Sequence, residues 1–176
     1  MEIHILRLGH RLPRDERITT HVALVARAFG AEAIIYSGQH DGSLESTISR
    51  IAENWGGEFP ISYSKNYIKV IKEYKKKGFT IIHLTMYGLP LPDVKNKIKA
   101  KKLLVIVGAE RVPMEVYGLA DYNIAVTNQP HSEVAALAIV LDRIQKGKEL
   151  ERKFDKKFKG KIKIKPNEKG KTVLKD

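Results

Sequence analysis

The segment 103-LLVIVGAERVPMEVYGLADYNIAVTNQPHSEVAALAIVLDRI-144 decides how this chain folds. LLVIV at 103–107 is an unbroken run of leucine and β-branched residues, the composition of a parallel strand buried on both faces, and Gly108 ends it. YNIAV at 122–126 is a second such run. Between them Pro113 stands where a helix can start without its N–H, with Glu115 in the first turn and Gly118 near the exit. Farther on, Thr127, Asn128, Gln129, Pro130, His131 and Ser132 crowd polar groups together, and Ser132 is placed to cap the apolar-faced helix that follows. Ligands of open α/β sheets gather outside the carboxyl ends of the strands. The loops 108–113 and 127–134 are therefore expected to be neighbours on one rim, with the active site on it.

Working outward, EIHILRL at 2–8 reads as the first strand, ended by Gly9 and Pro13. Asp15 is a candidate cap for a helix whose apolar residues Ile18, Val22, Val25, Ala26 and Phe29 fall at helical spacing, with Gly30 closing it. Residues 31–37 form the second strand, 44–55 a helix closed by Gly56 and Gly57, and 59–64 a third strand. A lysine-rich helix over 66–77 follows, then a strand over 79–85, a turn through MYGLPLPD and a short helix VKNKIKAKK over 94–102. Strand and helix alternate, which predicts an α/β fold with a mostly parallel sheet and helices on both faces. One domain is expected over 1–145. The extension 146–176 holds 13 Lys/Arg against 5 Asp/Glu, or +8 of the net +12. Its Ile162 and Ile164 alternate with lysines, Asn167 to Gly170 supplies turn chemistry, and Thr172, Val173 and Leu174 return. A small basic β-hairpin is predicted there, with a disordered basic tail as the competing reading.

Composition narrows the chemistry. The 176 residues include no cysteine, which excludes a disulfide scaffold, a thiolate zinc site and a cysteine nucleophile together. The six histidines show no paired metal-binding spacing, so no metal is expected. No apolar run reaches membrane length and no signal core opens the chain, so a soluble cytoplasmic protein without a membrane partner is expected. The dinucleotide, P-loop, zinc-protease and serine-hydrolase motifs are all missing. The basic excess points to a polyanion, RNA or DNA, or else merely solubilises the tail.

VGAERVP at 107–113 followed by VTNQPHSEVAALAIVLDR at 126–143 resembles the two C-terminal signature blocks of the SPOUT superfamily of S-adenosylmethionine-dependent RNA methyltransferases. RLGHRLPRDERITTHVALVARAFGA at 7–31 resembles one branch, the archaeal tRNA 2′-O-methyltransferases that modify cytidine 56 in the TΨC loop. The resemblance covers 1–145. It implies a C-terminal trefoil knot, which topology rules alone would not propose, a homodimer with a shared active site, and tRNA as substrate. It also implies that S-adenosylmethionine contacts Leu84, then Gly108, Ala109, Glu110, Arg111, Val112 and Pro113, and then Thr127, Asn128, Gln129, Pro130, His131, Ser132, Glu133 and Val134. Read as residues alone, Leu84 also suits ordinary core packing, Glu110 and Arg111 a surface ion pair, and His131 a loop hydrogen bond.

A ribose hydroxyl attacks only as its proton leaves, so a base or a cation beside the developing alkoxide is required. The family gives this role to an arginine of its first block, usually with a nearby asparagine; residues 9–30 contain no asparagine. Arg17, beside Thr19, Thr20 and His21, is the candidate, with His21 second. Arg7, Arg11 and Arg14 are read as possible phosphate contacts, as are Lys95, Lys97, Lys99, Lys101 and Lys102, and Arg27 as helix surface. Methylation of a ribosomal base and RNA binding without catalysis are the competing functions.

Overall fold

A computed structural model describes residues 1–109, 111–151 and 159–175. Glu110 lies outside the described residues. Six strands form one sheet in the order β3–β2–β1–β5–β4–β6, every neighbouring pair parallel: β1 is Glu2–His10, β2 Ala33–Gly38, β3 Ile61–Tyr63, β4 Thr80–Pro90, β5 Lys102–Val107 and β6 Tyr122–Ala125. Five residues of β5, from Leu103 to Val107, are fully buried, as its composition requires of a central strand covered on both faces.

Each of the five connections returns through a helix, α1 (Glu16–Ala28), α2 (Gly42–Trp55), α3 (Tyr67–Lys76), α4 (Leu91–Val94) and α5 (Met114–Leu119), and α6 (Glu133–Gln145) follows the last strand. They divide the core in two. On one face Ile3, Ile5, Leu84, Val105 and Val107 pack with Val22, Ala26, Leu137 and Leu141 of α1 and α6. On the other, Leu6, Ile81, Leu104 and Ile106 pack with Ile71 of α3 and Val116 of α5.

Several boundaries differ from the sequence reading. The third strand is only three residues long, because this edge strand follows Pro60, which has no N–H for the ladder. The short helix expected over 94–102 is Leu91–Val94 instead, started by Pro92 in its first turn and ended before the lysine-rich stretch. The turn expected through 86–93 is largely strand: pairing with β6 breaks after Leu84 and resumes at Leu89 opposite Ile124 and Pro90 opposite Ala125. Gly88 makes that possible. A Cβ there would sit 2.5 Å from the backbone carbonyl of Asn123, so only glycine lets the strand return to its neighbour.

Local chemistry holds elsewhere. The Ser132 hydroxyl accepts from Val134 N at 3.2 Å, capping α6. Pro113 precedes α5 as its cap residue rather than occupying its first turn. Asp15 occupies the cap position of α1 but its carboxylate does not cap; it accepts from Arg11 Nε at 2.8 Å. Beyond α6, β7 (Ile162–Lys165) and β8 (Thr172–Lys175) pair antiparallel as a separate two-stranded unit. Gly160 seats it on the end of α2, where a Cβ would meet the Trp55 carbonyl at 2.5 Å. Among the described residues no helix is long and apolar enough to cross a membrane, and no group of three His, Cys, Asp or Glu could hold a metal.

Candidate active site

The carboxyl ends of β4, β5 and β6 open into a cavity of about 750 Å³, large enough for a nucleoside-sized ligand. Three loops wall it. Val107, Gly108, Ala109, Arg111 and Val112 come from the end of β5, Pro130, His131 and Glu133 from the elbow before α6, and Leu84, Thr85, Met86 and Tyr87 from the bulged part of β4. The two loops singled out in the sequence meet at this cavity as expected, although their strands are not neighbours: β4 lies between β5 and β6 and supplies the third wall. His83, Tyr117 and Ala136 complete the lining.

Of the residues implied to bind the cofactor, Leu84, Gly108, Ala109, Arg111, Val112, Pro130, His131 and Glu133 line this space. Pro113, Thr127, Asn128, Gln129, Ser132 and Val134 are outside the lining, though some shape it. The Asn128 amide donates to the carbonyls of Met86 at 2.6 Å and Gly88 at 3.2 Å, stapling the elbow to the β4 bulge. His131 Nδ1 lies 2.6 Å from the Gln129 carbonyl and donates to it, so the loop hydrogen bond expected on plain grounds is present while the ring still faces the cavity. Gly108 permits a tight turn: a Cβ would lie 2.5 Å from Val112 Cγ2.

Beneath the cavity lies Arg7, 1% exposed. One terminal nitrogen donates to the Gly108 carbonyl and the other stands 3.4 Å from Glu133 Oε1, so a single guanidinium ties the β5 loop to the first residue of α6. Burial lowers its pKa from the ordinary arginine value, and the Glu133 carboxylate opposes that shift. The expectation that Arg7 grips RNA is therefore corrected; on a strand covered on both faces its head group cannot reach solvent. Arg27 is likewise more than helix surface, since it donates to the Gly56 carbonyl.

Arg17 and His21 lie elsewhere. Both are exposed on α1 and line a separate groove of about 290 Å³ with Glu16, Thr20, Asp41, Ser43, Leu44 and Thr47, sharing no residue with the larger cavity. A buried network fixes this groove. His10, fully buried, sits 2.9 Å from Thr19 Oγ1 on α1 and 3.2 Å from Asp41 Oδ2, whose other oxygen caps α2 through Ser43 N and Leu44 N. A third hollow, of about 420 Å³, lies between Gly9, His10, Arg11, Gly38, Gln39, Ala109 and Arg111.

Solved structures place this architecture. It resembles the A. aeolicus TrmH/SpoU tRNA modifying enzyme with a TM-score of 0.65 at 18% identity, over 85% of this chain and 77% of that one. It also resembles the SpoU methyltransferase AviRb from Streptomyces viridochromogenes in complex with the cofactor AdoMet, with a TM-score of 0.60 at 15% identity, over 82% of this chain and 57% of that one. The fold is thus that of the SpoU/TrmH methyltransferases. Sequence goes further. Residues 55–174 match the family described as tRNA ribose 2′-O-methyltransferase, aTrm56. Proteins named tRNA (cytidine(56)-2′-O)-methyltransferase from Methanosphaera stadtmanae and Methanopyrus kandleri are 53% and 51% identical, over 99% and 96% of this chain and 99% and 94% of theirs. The chain belongs to this tRNA ribose 2′-O-methyltransferase family.

Proposed function

We propose that this protein transfers a methyl group from S-adenosylmethionine to the ribose 2′-hydroxyl of cytidine 56 in tRNA. The observation that carries the reading is the near full-length identity to relatives bearing that name. The three-walled cavity supports it. Gly108 lets the β5 loop turn tightly against Val112 at its wall, and Arg7 ties that loop to Glu133. Leu84, Gly108, Ala109, Arg111, Val112, Pro130, His131 and Glu133 would hold the methyl donor, with Glu110, Pro113, Thr127, Asn128, Gln129, Ser132 and Val134 as the remaining proposed contacts. When bound, S-adenosylmethionine supplies an electrophilic methyl group on a positively charged sulfur.

The chain's own task is then orientation and proton management. The loops would hold the methyl donor so that the ribose oxygen stands in line behind the carbon–sulfur bond it displaces. Arg17 would steady the developing alkoxide, and His21 beside it would take the hydroxyl proton as it departs. Because their groove and the cavity share no residue within one chain, we place the complete site in a homodimer, where α1 of one protomer faces the cavity of the other. A trefoil knot accords with the close passage at Gly88 and the Asn128 staple. Residues 1–145 form the methyltransferase domain in this reading, and the basic extension 146–176 supplies phosphate contacts in the cytoplasm. Incubating the protein with unmodified tRNA transcript and labelled S-adenosylmethionine, then mapping the digest by mass, tests it. A 2′-O-methyl group on cytidine 56 is expected; a methylated base, or no transfer, overturns it.

A further inference from the structure

Of the seven tyrosines, six are buried or half-buried. Tyr87 is the exception, 78% exposed, and among the described residues its hydroxyl has no hydrogen bond and its ring no aromatic or cationic partner. It stands between Leu84 and Leu89, where the pairing of β4 with β6 lapses. The backbone beneath it is nonetheless held. Tyr87 N–H donates to Thr85 Oγ1 at 3.3 Å, and that oxygen lies 3.1 Å from the Tyr117 hydroxyl. The Asn128 amide ties together the carbonyls on either side, those of Met86 and Gly88. A large aromatic surface is thus left in water on a fixed stretch of chain.

Exposure alone would carry little, since single apolar groups are common on protein surfaces. Position adds the rest. Tyr87 belongs to the lining of the large cavity, and with most of its surface in solvent it stands at the mouth rather than the floor. The ribose to be methylated has to reach the methyl donor through that mouth. Its base, attached to the carbon next to the one that bears the 2′-hydroxyl, comes with it. A base drawn out of its stack loses the contacts on its faces, and an aromatic side chain replaces them whatever the base's hydrogen-bonding pattern. Resting on the methyl-donor reading of the cavity, we infer that Tyr87 is a stacking platform for the base of the nucleotide being methylated. The donor's own adenine is better served by the sheltered part of the cavity, walled by Leu84, Gly108 and Ala109, than by a ring left open to water.

Three substitutions separate stacking from other uses of the ring. With unmodified tRNA transcript as substrate, Tyr87→Ala and Tyr87→Leu are each expected to raise KM for tRNA roughly tenfold, the effect of one lost base–aromatic stack. Tyr87→Phe keeps the aromatic face and should stay within about twofold of the unmodified protein. S-adenosylhomocysteine affinity by calorimetry and mass by light scattering should not move in any of the three. An unchanged KM in Tyr87→Ala, or a Tyr87→Leu as good as Tyr87→Phe, overturns the inference. So does a loss of S-adenosylhomocysteine affinity, which would give the ring to the donor, or a fall in mass, which would give it to a second copy of the chain. In the unmodified protein, the ring protons of Tyr87 are expected to move upfield in NMR spectra when the transcript is added; no movement overturns the inference as well. Failure of the unmodified protein to bind S-adenosylhomocysteine at all would instead remove the donor reading of the cavity, and the inference with it.

Discussion

The cavity at the ends of β4, β5 and β6 and the groove between α1 and α2 open at the carboxyl ends of the same sheet, yet they are built in opposite ways. The first is set by groups withdrawn from water: Arg7 at 1% exposure, His83 at 0%, and glycines whose missing side chains admit another chain segment. The second presents Arg17 and His21 outward, over a hidden His10–Thr19–Asp41 network that holds its helices. A small ligand is gripped by fixed, desolvated geometry, whereas a large polyanion is met by solvated charge. Damage to the first should register in donor affinity and folding, and damage to the second in turnover and salt response.

The sharpest break comes at Arg17. Arg17→Ala is expected to lower turnover by roughly 10²–10³-fold, the cost of losing one preorganised charge at a developing oxyanion, while donor affinity measured by calorimetry stays as it was; equal turnover removes Arg17 from the mechanism. Next comes Gly88→Ala. Its Cβ would lie 2.5 Å from the Asn123 backbone, so a loss of about 2–3 kcal/mol is expected in denaturant unfolding. A variant as stable as the parent would mean that β4 and β6 can separate at no cost.

Arg7→Met tests whether the buried cation shapes the cavity. Removing it strips the Gly108 carbonyl of its donor and leaves Glu133 unpaired. About 1–2 kcal/mol of stability should be lost, with donor binding several-fold weaker and RNA affinity untouched. Reduced RNA affinity would return Arg7 to the phosphate-binding set.

Acidification should act on the interior as well. The folded pKa values of His83 and His4 both lie below 6.5, burial being the largest cause in each. The unfolded chain thus takes up protons first, and stability present above about pH 6.5 is lost as the pH falls toward the folded values. Thermal melts at pH 7.5 and 5.5 check the sign, and His83→Gln should flatten the trend. The smallest effect is expected at the hairpin: Lys165→Gln with Lys171→Gln should weaken tRNA binding only a few-fold and reduce the slope of log affinity against log salt by about 1–2.

What the sequence revealed follows the same division. Short-range chemistry was legible: the Ser132 cap, the buried run of β5 and two of the three cavity loops depend on residues a few positions apart. Contacts across the fold were not. EIHILRL reads as a strand, and nothing local shows that α6 closes over the face from which Arg7 projects while α3 and α5 cover the other. Gly88 was misread because the same residue that makes a turn also permits two backbones to touch. His83 stands 34 positions before Tyr117 and 40 before Asn123 and meets them only because β6 lies beside β4. The visible signal was a histidine inside the otherwise apolar run 81–84, a polar group that had to find a partner. Expectations on Glu110 lie outside the described residues.

The Asn128 amide has a consequence for the energetics of ligand capture. By holding the carbonyls of Met86 and Gly88 together it assembles one wall in advance, so the conformational freedom of that loop is surrendered during folding rather than on association. Cutting the amide back to a methyl group should leave the pocket's chemistry intact and make its occupant arrive at an entropic disadvantage.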